Sequence, residues 1–259
     1  MAKNQIILIL TRDLNDISFK LYDEINKHLR SSIDIFILSN TDISKYIYSS
    51  DYKRNIYIFG TCVWDDLNIQ PLGEKFVPGN THLALLKFFL DYPDYESYWL
   101  IEDDVRFSGN WSLLFNTFNN FTHFDFLSSH IRSYIQEPYW YWWETLEHDS
   151  FEIPLEIRLR SFNPIYRISN NALSYIYNIH KIGWKGHYEV LLPTMLYLGN
   201  YKILDFGGSG HFVSEGFQNR FYTSESNHYG SLSQGTMKYR PISRKIGSLK
   251  NKLYHPIKL

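Results

Sequence analysis

The stretch that decides the fold is YWLIEDDVRFSGNW, residues Tyr98–Trp111. It begins with the apolar run Tyr98–Ile101 and continues directly into three acids, Glu102, Asp103 and Asp104. A hydrophobic strand that ends in three charges places them at the edge of a sheet, because an unpaired charge is costly inside a core. Side chains alternate along a strand, so we expect Glu102 and Asp104 on one side and Asp103 on the other.

Compact apolar runs alternate with helical patterns through the first half of the chain. Besides Tyr98–Asp104, the sequence predicts strands at Gln5–Leu10, Ile33–Ser39, Asn55–Gly60 and Phe124–His130. A helix capped by Asp16 follows the first strand, and another begins at Asn80 or Thr81 and stops before Pro93. Strands separated by helices predict an α/β fold, in which a mostly parallel sheet is flanked by helices. Ligands bind at the carboxyl ends of such strands, which is where the three acids lie.

The second half is less regular, and we interpret the chain as a single domain, residues 1–259, with an irregular C-terminal half. Helices are predicted after Asn170 and near Glu189, where Pro193 either interrupts the helix or marks its first turn. The aromatic run YWYWW, Tyr139–Trp143, is typical of core packing, but it could also stack on sugar faces. No internal repeat or low-complexity linker divides the chain.

Charge and composition exclude several classes of protein. The 26 basic and 27 acidic residues give a net charge of −1, which argues against nucleic acid as a partner. A single cysteine, Cys62, excludes an internal disulfide, and no Cys/His spacing is typical of structural zinc. No apolar run reaches the length of a signal peptide or a membrane span, so we expect a protein of the cytoplasm.

The C-terminal segment is basic, because no acid follows Glu225. Its Lys and Arg residues are Lys238, Arg240, Arg244, Lys245, Lys250, Lys252 and Lys258. One interpretation is a solvated segment, and the other is a surface that meets anionic lipid or the phosphates of a nucleotide. The second interpretation predicts peripheral contact with the inner face of a membrane.

The three acids also have two interpretations. They could begin a surface loop and pair with Arg106. Alternatively, two carboxylates on one side of a strand stay ionised together only when a cation compensates them. Oxygen ligands at the mouth of an α/β sheet suit Mn²⁺ or Mg²⁺, which keep positions open for phosphate oxygens.

With its preceding strand, YWLIEDDVRFSGNW resembles the metal-binding segment of GT-A-type glycosyltransferases, in particular bacterial enzymes that build surface polysaccharides. In that family a strand ends in a D-x-D or E-D-D triplet. The resemblance implies a GT-A-like (Rossmann-like) fold in which Asp104 ligates the divalent cation that bridges the donor diphosphate. It also implies that Asp103 contacts the ribose or the metal and that Glu102 supports them. The sequence FSGNW after the triplet resembles the loop that follows it in several bacterial members.

The same resemblance assigns further residues to the donor. GT-A enzymes commonly take a metal or phosphate contact from a histidine near the C-terminus. This implies a metal ligand at His255 in LYHPIKL and a pyrophosphate contact at Lys258, with an exposed histidine as the alternative. Because these folds hold the nucleotide after the first strand, donor contacts are implied for Thr11, Arg12 and Asp13. Arg167 would contact the donor or the acceptor, or else pair with a core acid.

A transfer that inverts the anomeric centre needs a base for the acceptor hydroxyl. Inverting GT-A enzymes often supply it from an acid beside the acceptor, which implies Glu189 in GWKGHYEVLLPT, with His187 as the other candidate. Asp205, after the apolar run of KILDF, could compete for this role. The alternative for Glu189 is a stabilising effect at the N-terminus of its helix.

These assignments predict a metal-dependent, inverting glycosyltransferase that moves a sugar from a nucleotide-diphosphate donor to a hydroxyl of a glycan or glycolipid. Residues 1–130 would bind the nucleotide sugar and the metal, and residues 131–259 the acceptor. A nucleotidyltransferase is an alternative, but it normally carries a Gly- and Lys-rich phosphate loop that LTRDLNDIS lacks. A non-catalytic glycan-binding module would account for the aromatic residues, but it needs no cluster of acids.

Overall fold

Residues 3–30, 32–40, 54–225 and 229–258 are described by the structure, which is a computed structural model. The strands, in chain order, are β1 (Lys3–Thr11), β2 (Asp34–Ser39), β3 (Ile56–Ile58), β4 (Tyr95–Glu102), β5 (Arg106–Phe107), β6 (Phe126–Ser133), β7 (Leu159–Ser169), β8 (Ile203–Asp205), β9 (Ser224–Glu225), β10 (Gln234–Gly235) and β11 (Leu253–Tyr254). The helices are α1 (Asp16–Leu29), α2 (Val63–Leu67), α3 (His82–Asp91), α4 (Trp111–Asn119), α5 (Asn170–Lys181) and α6 (Tyr188–Leu198). Short 3₁₀ turns lie at Trp143–Thr145 and Leu155–Ile157.

Seven of the strands form one sheet, in the order β3-β2-β1-β4-β7-β6-β8. β7 is antiparallel to both of its neighbours, β4 and β6, while the other pairs run parallel. This arrangement confirms the α/β fold class and the mostly parallel sheet expected from the sequence. The chain runs outward from β1 to β3 and then returns to β4 on the other side of β1. A topological switch point therefore lies between β1 and β4.

The two faces of the sheet pack into two hydrophobic layers. Side chains of β1 alternate between them, since Ile6 and Leu8 belong to one layer and Ile7 and Ile9 to the other. Helices α3, α5 and α6 cover the first layer, and α1 and α4 cover the second. Central strands that are buried on both faces read as continuous apolar runs, which is why the sequence identified them.

β7 is the long strand that the sequence pattern did not reveal. It has 11 residues and includes Arg160, Asn163 and Pro164, all of them buried. Polar side chains and a proline interrupt the apolar pattern by which a buried strand is recognised. Because β7 runs antiparallel, with Ile165 opposite Ile101, its first half extends past the carboxyl end of β4. It thereby brings Arg160 and Asn163 to the edge of the sheet where the acids lie.

Local signals set the ends of the helices, with two differences from the prediction. Asn15, not Asp16, caps α1, and its Oδ1 accepts hydrogen bonds from the backbone N–H groups of Ile17 and Ser18. A capping residue sits outside the helix so that its side chain can turn back to these groups, and Asp16 is already helical. In α6, Pro193 lies inside the helix and does not end it. None of the helices within the described residues is long and apolar enough to cross a membrane.

The chain from Phe206 onward is irregular in its described part, where only three two-residue strands form. The last of them, β11, pairs antiparallel with β5, so that Leu253 lies opposite Phe107 and Tyr254 opposite Arg106. Both β11 residues are buried. The C-terminal segment therefore returns at β11 to the residues just after the three acids, while most of its Lys and Arg side chains are exposed.

Candidate active site

The register of the central strands places the three acids beside the end of β1. Leu10 lies opposite Glu102, and the backbone N–H of Asp103 donates to the carbonyl of Leu10 at 3.0 Å. A turn follows at once, closed by the N–H of Val105, which donates to the carbonyl of Glu102 at 3.0 Å. The acids thus lie at the switch point, where α/β folds bind their ligands.

Asp103 turns toward the segment that follows β1. The buried Thr11 hydroxyl donates to Asp103 Oδ2 at 2.5 Å. Burial raises the pKa of Asp103 above its usual value, although the Thr11 hydrogen bond opposes this. Arg12 and Asp13 have exposed side chains, with 3.8 Å between Arg12 Nε and Asp13 Oδ2. The structure gathers these four predicted donor residues at one edge, and none of them lines the pocket described below.

Glu102 and Asp104 share the other side of the strand, as the alternation of side chains predicts, and there they meet His255. His255 Nε2 lies 3.2 Å from Asp104 Oδ1 and 3.7 Å from Glu102 Oε2. The pairing of β11 with β5 carries His255 to this place, and the N–H of Ile257 donates to the carbonyl of Asp104 at 2.8 Å. One ligand atom from each of the three side chains lies within 4.8 Å of the others, so the cluster could hold a metal ion.

The imidazole of His255 is oriented for ligation. Its Nδ1 donates to the carbonyl of Lys238 at 2.8 Å, which leaves Nε2 directed at the two carboxylates. A hydrogen bond from the second ring nitrogen is the usual support of a ligating histidine. Carboxylate oxygens suit Mg²⁺ and Mn²⁺, and the single imidazole favours a transition metal such as Mn²⁺. The residues present therefore fit a divalent cation.

The acidic side chains of this cluster surround the imidazole of His255, which they favour in its positively charged form. Burial would lower the pKa of His255, but its contacts with Asp104 and Glu102 raise that pKa to about 9. Burial would raise the pKa of Asp104, yet the hydrogen bond and charge of His255 bring it below its usual value. Lys258 Nζ adds a second positive charge 3.8 Å from Asp104 Oδ2. Two carboxylates this close together need a positive charge beside them, and a divalent cation would supply that charge if His255 were deprotonated.

A cavity of about 530 Å³ opens beside the cluster. Sites for small molecules occupy about 300–1,000 Å³, so the cavity can take a ligand of that kind. Glu102, Asp104 and His255 all line it, together with Lys258 and Glu189. Much of the remaining wall is aromatic and includes the consecutive residues Tyr139, Trp140, Tyr141 and Trp142. The structure therefore brings the predicted metal ligands and the predicted base into one pocket.

Glu189 is a buried carboxyl at the start of α6. Its Oε1 accepts a hydrogen bond from the backbone N–H of Asn163 at 3.1 Å, which holds the side chain in place. Burial raises the pKa of Glu189 to about 7, although the charge of Arg160 opposes the shift. A carboxyl with a pKa near neutrality can take up and release a proton under physiological conditions, as a general base requires.

His187, the other base candidate, has a structural task. It caps α6, where its Nδ1 accepts a hydrogen bond from the N–H of Glu189 at 3.3 Å. Its ring stacks on Trp142, with 4.6 Å between the ring centroids. Burial and the charge of Arg160 lower the pKa of His187 to about 3. A histidine whose Nδ1 is engaged and whose pKa is this low is a poor proton acceptor, so Glu189 is the stronger candidate.

Two neighbours of the candidate base were not identified from the sequence. Arg160 is buried, with its Nη1 3.1 Å from Glu137 Oε2 and its guanidinium 4.2 Å from the ring centroid of Trp140. The hydroxyl of Tyr188 lies 3.4 Å from Glu102 Oε1. Neither belongs to a recognisable motif, since one is an arginine in a strand that the sequence did not predict and the other a tyrosine in an aromatic-rich chain. The polar content of β7 was the only signal that pointed to Arg160.

Asp205 and Arg167 lie outside the pocket, and each has a structural task. Buried Asp205 accepts hydrogen bonds from the N–H groups of Gly207 and Gly208, both at 3.0 Å, and from the Tyr222 hydroxyl at 2.7 Å. Arg167 donates to three backbone carbonyls at the end of α4 and just beyond it, those of Phe118, Phe121 and Phe124. Their positions do not support a base role for Asp205 or a ligand contact for Arg167.

Comparisons with known proteins show similar folds without assigning a function. No protein-family model matches the sequence, and no curated protein matches it. A candidate glucose-1-phosphate thymidylyltransferase from Bacillus anthracis, solved in complex with a sucrose, is 13% identical, with a TM-score of 0.41 over 78% of this chain and 86% of that one. A glycosyltransferase involved in the glycosylation of the major capsid of PBCV-1 is 6% identical, with a TM-score of 0.37 over 78% and 81%.

A mycobacterial protein is 12% identical, with a TM-score of 0.45 over 78% of this chain and 64% of that one. All three TM-scores lie below 0.5. The function therefore has to be argued from the pocket itself.

Replacing Arg167 separates a structural role from donor binding. Arg167→Met leaves three backbone carbonyls without their donor, so we expect the free energy of unfolding in urea to fall by roughly 2–4 kcal/mol. Metal-dependent nucleotide binding, measured by calorimetry on the folded variant, should be unchanged. Weaker nucleotide binding with no loss of stability would instead assign Arg167 to the donor site.

Proposed function

We propose that the protein is a metal-dependent glycosyltransferase that moves a sugar from a nucleotide-diphosphate donor to a hydroxyl of a glycan or glycolipid, with inversion at the anomeric carbon. The observation that carries the proposal is a single pocket lined by both a cluster suited to a divalent cation and a buried carboxyl with a pKa near 7. A role in surface-polysaccharide synthesis follows from the resemblance of the acidic segment alone.

The donor end of the pocket is the cluster of Glu102, Asp104 and His255, which would hold Mn²⁺ or Mg²⁺. The cation, when bound, neutralises charge that develops on the leaving diphosphate. Lys258, exposed beside Asp104, adds a positive charge that can meet a phosphate oxygen. In this proposal the Thr11–Asp13 segment and Asp103 contact the nucleoside, since they lie together at the switch point beside the cluster.

The acceptor end is Glu189. Its Oε1 is engaged by the N–H of Asn163, which leaves Oε2 to accept the proton of an acceptor hydroxyl. As that proton moves to Glu189, the acceptor oxygen forms a bond to the anomeric carbon. The bond from the anomeric carbon to the diphosphate breaks, and the diphosphate leaves with the bonding electron pair.

A non-catalytic glycan-binding module explains less of the pocket. Such a module would use the aromatic wall, but it has no need of a buried carboxyl that shares the pocket with two further carboxylates and a histidine. A nucleotidyltransferase would use the cation, yet it needs no base at Glu189 poised for a sugar hydroxyl. Transfer of a sugar accounts for both ends of the pocket.

The first test is calorimetric titration of UDP, GDP and CMP into the protein, with and without Mn²⁺. We expect a nucleoside diphosphate to bind only with the metal, and Asp104→Ala to abolish that binding and to slow sugar transfer by about 10²–10³-fold or more, because the cation loses a ligand. The neighbouring Asp103→Asn is the matched control, since Asp103 lies outside the cluster and the metal requirement should remain. Near-normal transfer by Asp104→Ala would refute the metal site.

Glu189→Gln tests the base. Because a base acts in its ionised form, the rate of transfer should fall as the pH drops below the Glu189 pKa of about 7. Glu189→Gln should transfer sugar far more slowly, and its residual rate should lack this fall at acidic pH. Nucleotide binding should stay intact. His187→Asn, which keeps an N-cap acceptor, should retain the fall at the same pH. A fall that survives in Glu189→Gln would assign the base elsewhere.

Glu189→Gln, which should slow transfer, should make the folded protein more stable at alkaline pH. Burial raises the pKa of Glu189 from 4.5 to about 7, so between these values the folded chain keeps a proton that the unfolded chain has lost. Stability therefore falls as the pH rises through this window, by on the order of 3 kcal/mol. We expect Glu189→Gln to melt at a higher temperature than the wild type at pH 8 and at a similar temperature at pH 4. Lower stability at pH 8 would contradict the raised pKa.

A further inference from the structure

Exposed tyrosines are concentrated around the mouth of the pocket. The described residues contain six exposed tyrosines, and four of them line this pocket. Their exposed fractions are 62% for Tyr139, 81% for Tyr141, 68% for Tyr229 and 63% for Tyr239. We call these four residues the tyrosine rim. Clustered exposed aromatic rings beside a cavity mark an interaction site, whereas scattered ones do not.

The first part of the rim is held by the residues between its tyrosines. In the segment Tyr139–Trp142, the tryptophans are partly buried while the tyrosines face outward. Trp142 stacks on His187, and Trp140 lies under the guanidinium of Arg160. The next residue, Trp143, belongs to the core, so part of the aromatic run has the packing role expected of it. The anchoring of alternate residues keeps Tyr139 and Tyr141 exposed without leaving their backbone loose.

A second segment, Tyr229–Gly230, contacts the first part of the rim. The rings of Tyr229 and Tyr139 lie 5.6 Å apart, and the carbonyl of Gly230 accepts a hydrogen bond from Arg160 Nη1 at 3.1 Å. A side chain at Gly230 would meet Arg160 Nη1 at 2.8 Å and Trp140 Cβ at 2.9 Å, so only glycine allows this approach. Arg160 thus joins the two segments, and its charge also acts on Glu189. The rim is a built extension of the pocket that contains the candidate base.

We propose that the tyrosine rim binds the acceptor as a carbohydrate chain of several sugar units, with its outer units stacked on the rings and its reacting end at Glu189. This inference rests on the proposed function. A tyrosine ring presents an apolar face to the C–H groups of a pyranose, and its hydroxyl can bond the sugar's hydroxyl groups. Four rings from three segments exceed what one sugar can cover, so the rim selects an oligosaccharide over a monosaccharide.

The test uses an array of printed oligosaccharides, one to eight units long, probed with the labelled full-length protein. We expect the wild type to bind chains of three or more units and not monosaccharides, and the double variant Tyr139→Ala/Tyr141→Ala to bind them about tenfold or more weakly. Tyr139→Phe keeps the apolar face of the ring and should lose less affinity than the double variant. Tyr197→Ala is the matched control, because Tyr197 is 51% exposed and lies outside the pocket.

Two further readouts separate this inference from the proposed function. Metal-dependent nucleotide binding and hydrolysis of the donor by water should be equal in the wild type and the double variant, while transfer to the oligosaccharide falls. The inference is overturned if the double variant binds oligosaccharides as the wild type does, or if nucleotide binds but no oligosaccharide does. Oligosaccharide binding through the rim with no nucleotide binding would instead refute the proposed function and leave a glycan-binding surface.

Discussion

The whole candidate site depends on one contact, that of His255 with the two carboxylates at the end of β4. The pairing of β11 with β5 sets its position, and the hydrogen bond from Nδ1 to the carbonyl of Lys238 sets the orientation of the ring. With the imidazole in place, Glu102 and Asp104 both lie within 4 Å of His255 Nε2. The same return of the chain brings Lys258 to the pocket. A strand pairing of two residues thus completes the cluster that the proposal assigns to the donor.

Two carboxyl groups of the pocket, Asp104 and Glu189, have pKa values shifted in opposite directions. The pKa of Asp104 lies below its usual value because of the positive charge around it, whereas burial raises the pKa of Glu189 to about 7. Carboxyl groups whose environments push their pKa values apart are the usual sign of divided acid–base roles. One group is suited to holding a cation, and the other to exchanging a proton near neutral pH. This division supports the proposal that the pocket is catalytic.

Much of the donor half could be predicted from the sequence, and much of the rest could not. Buried parallel strands are nearly continuous apolar runs, and the alternation of side chains along a strand predicts that Asp103 faces away from Glu102 and Asp104. β7 was missed because Arg160 and Asn163 break its apolar pattern. The tyrosine rim could not be predicted from the sequence either, because no local pattern indicates that Tyr229 contacts Tyr139. Contacts between distant segments are set by the packing of the whole fold and leave no local signal.

His255 follows Asp104 by more than half the length of the chain, and this separation has a consequence for when the cluster could bind a metal. Closing so long a loop is among the slower steps of folding, because the entropy of the intervening chain is lost before the contact forms. Until the His255 contact has formed, the site presents only the two carboxylates, which alone bind a transition metal weakly. The complete three-ligand site exists only in the native chain, so a bound cation would stabilise the folded state selectively. Loading with metal would then mark the completion of folding.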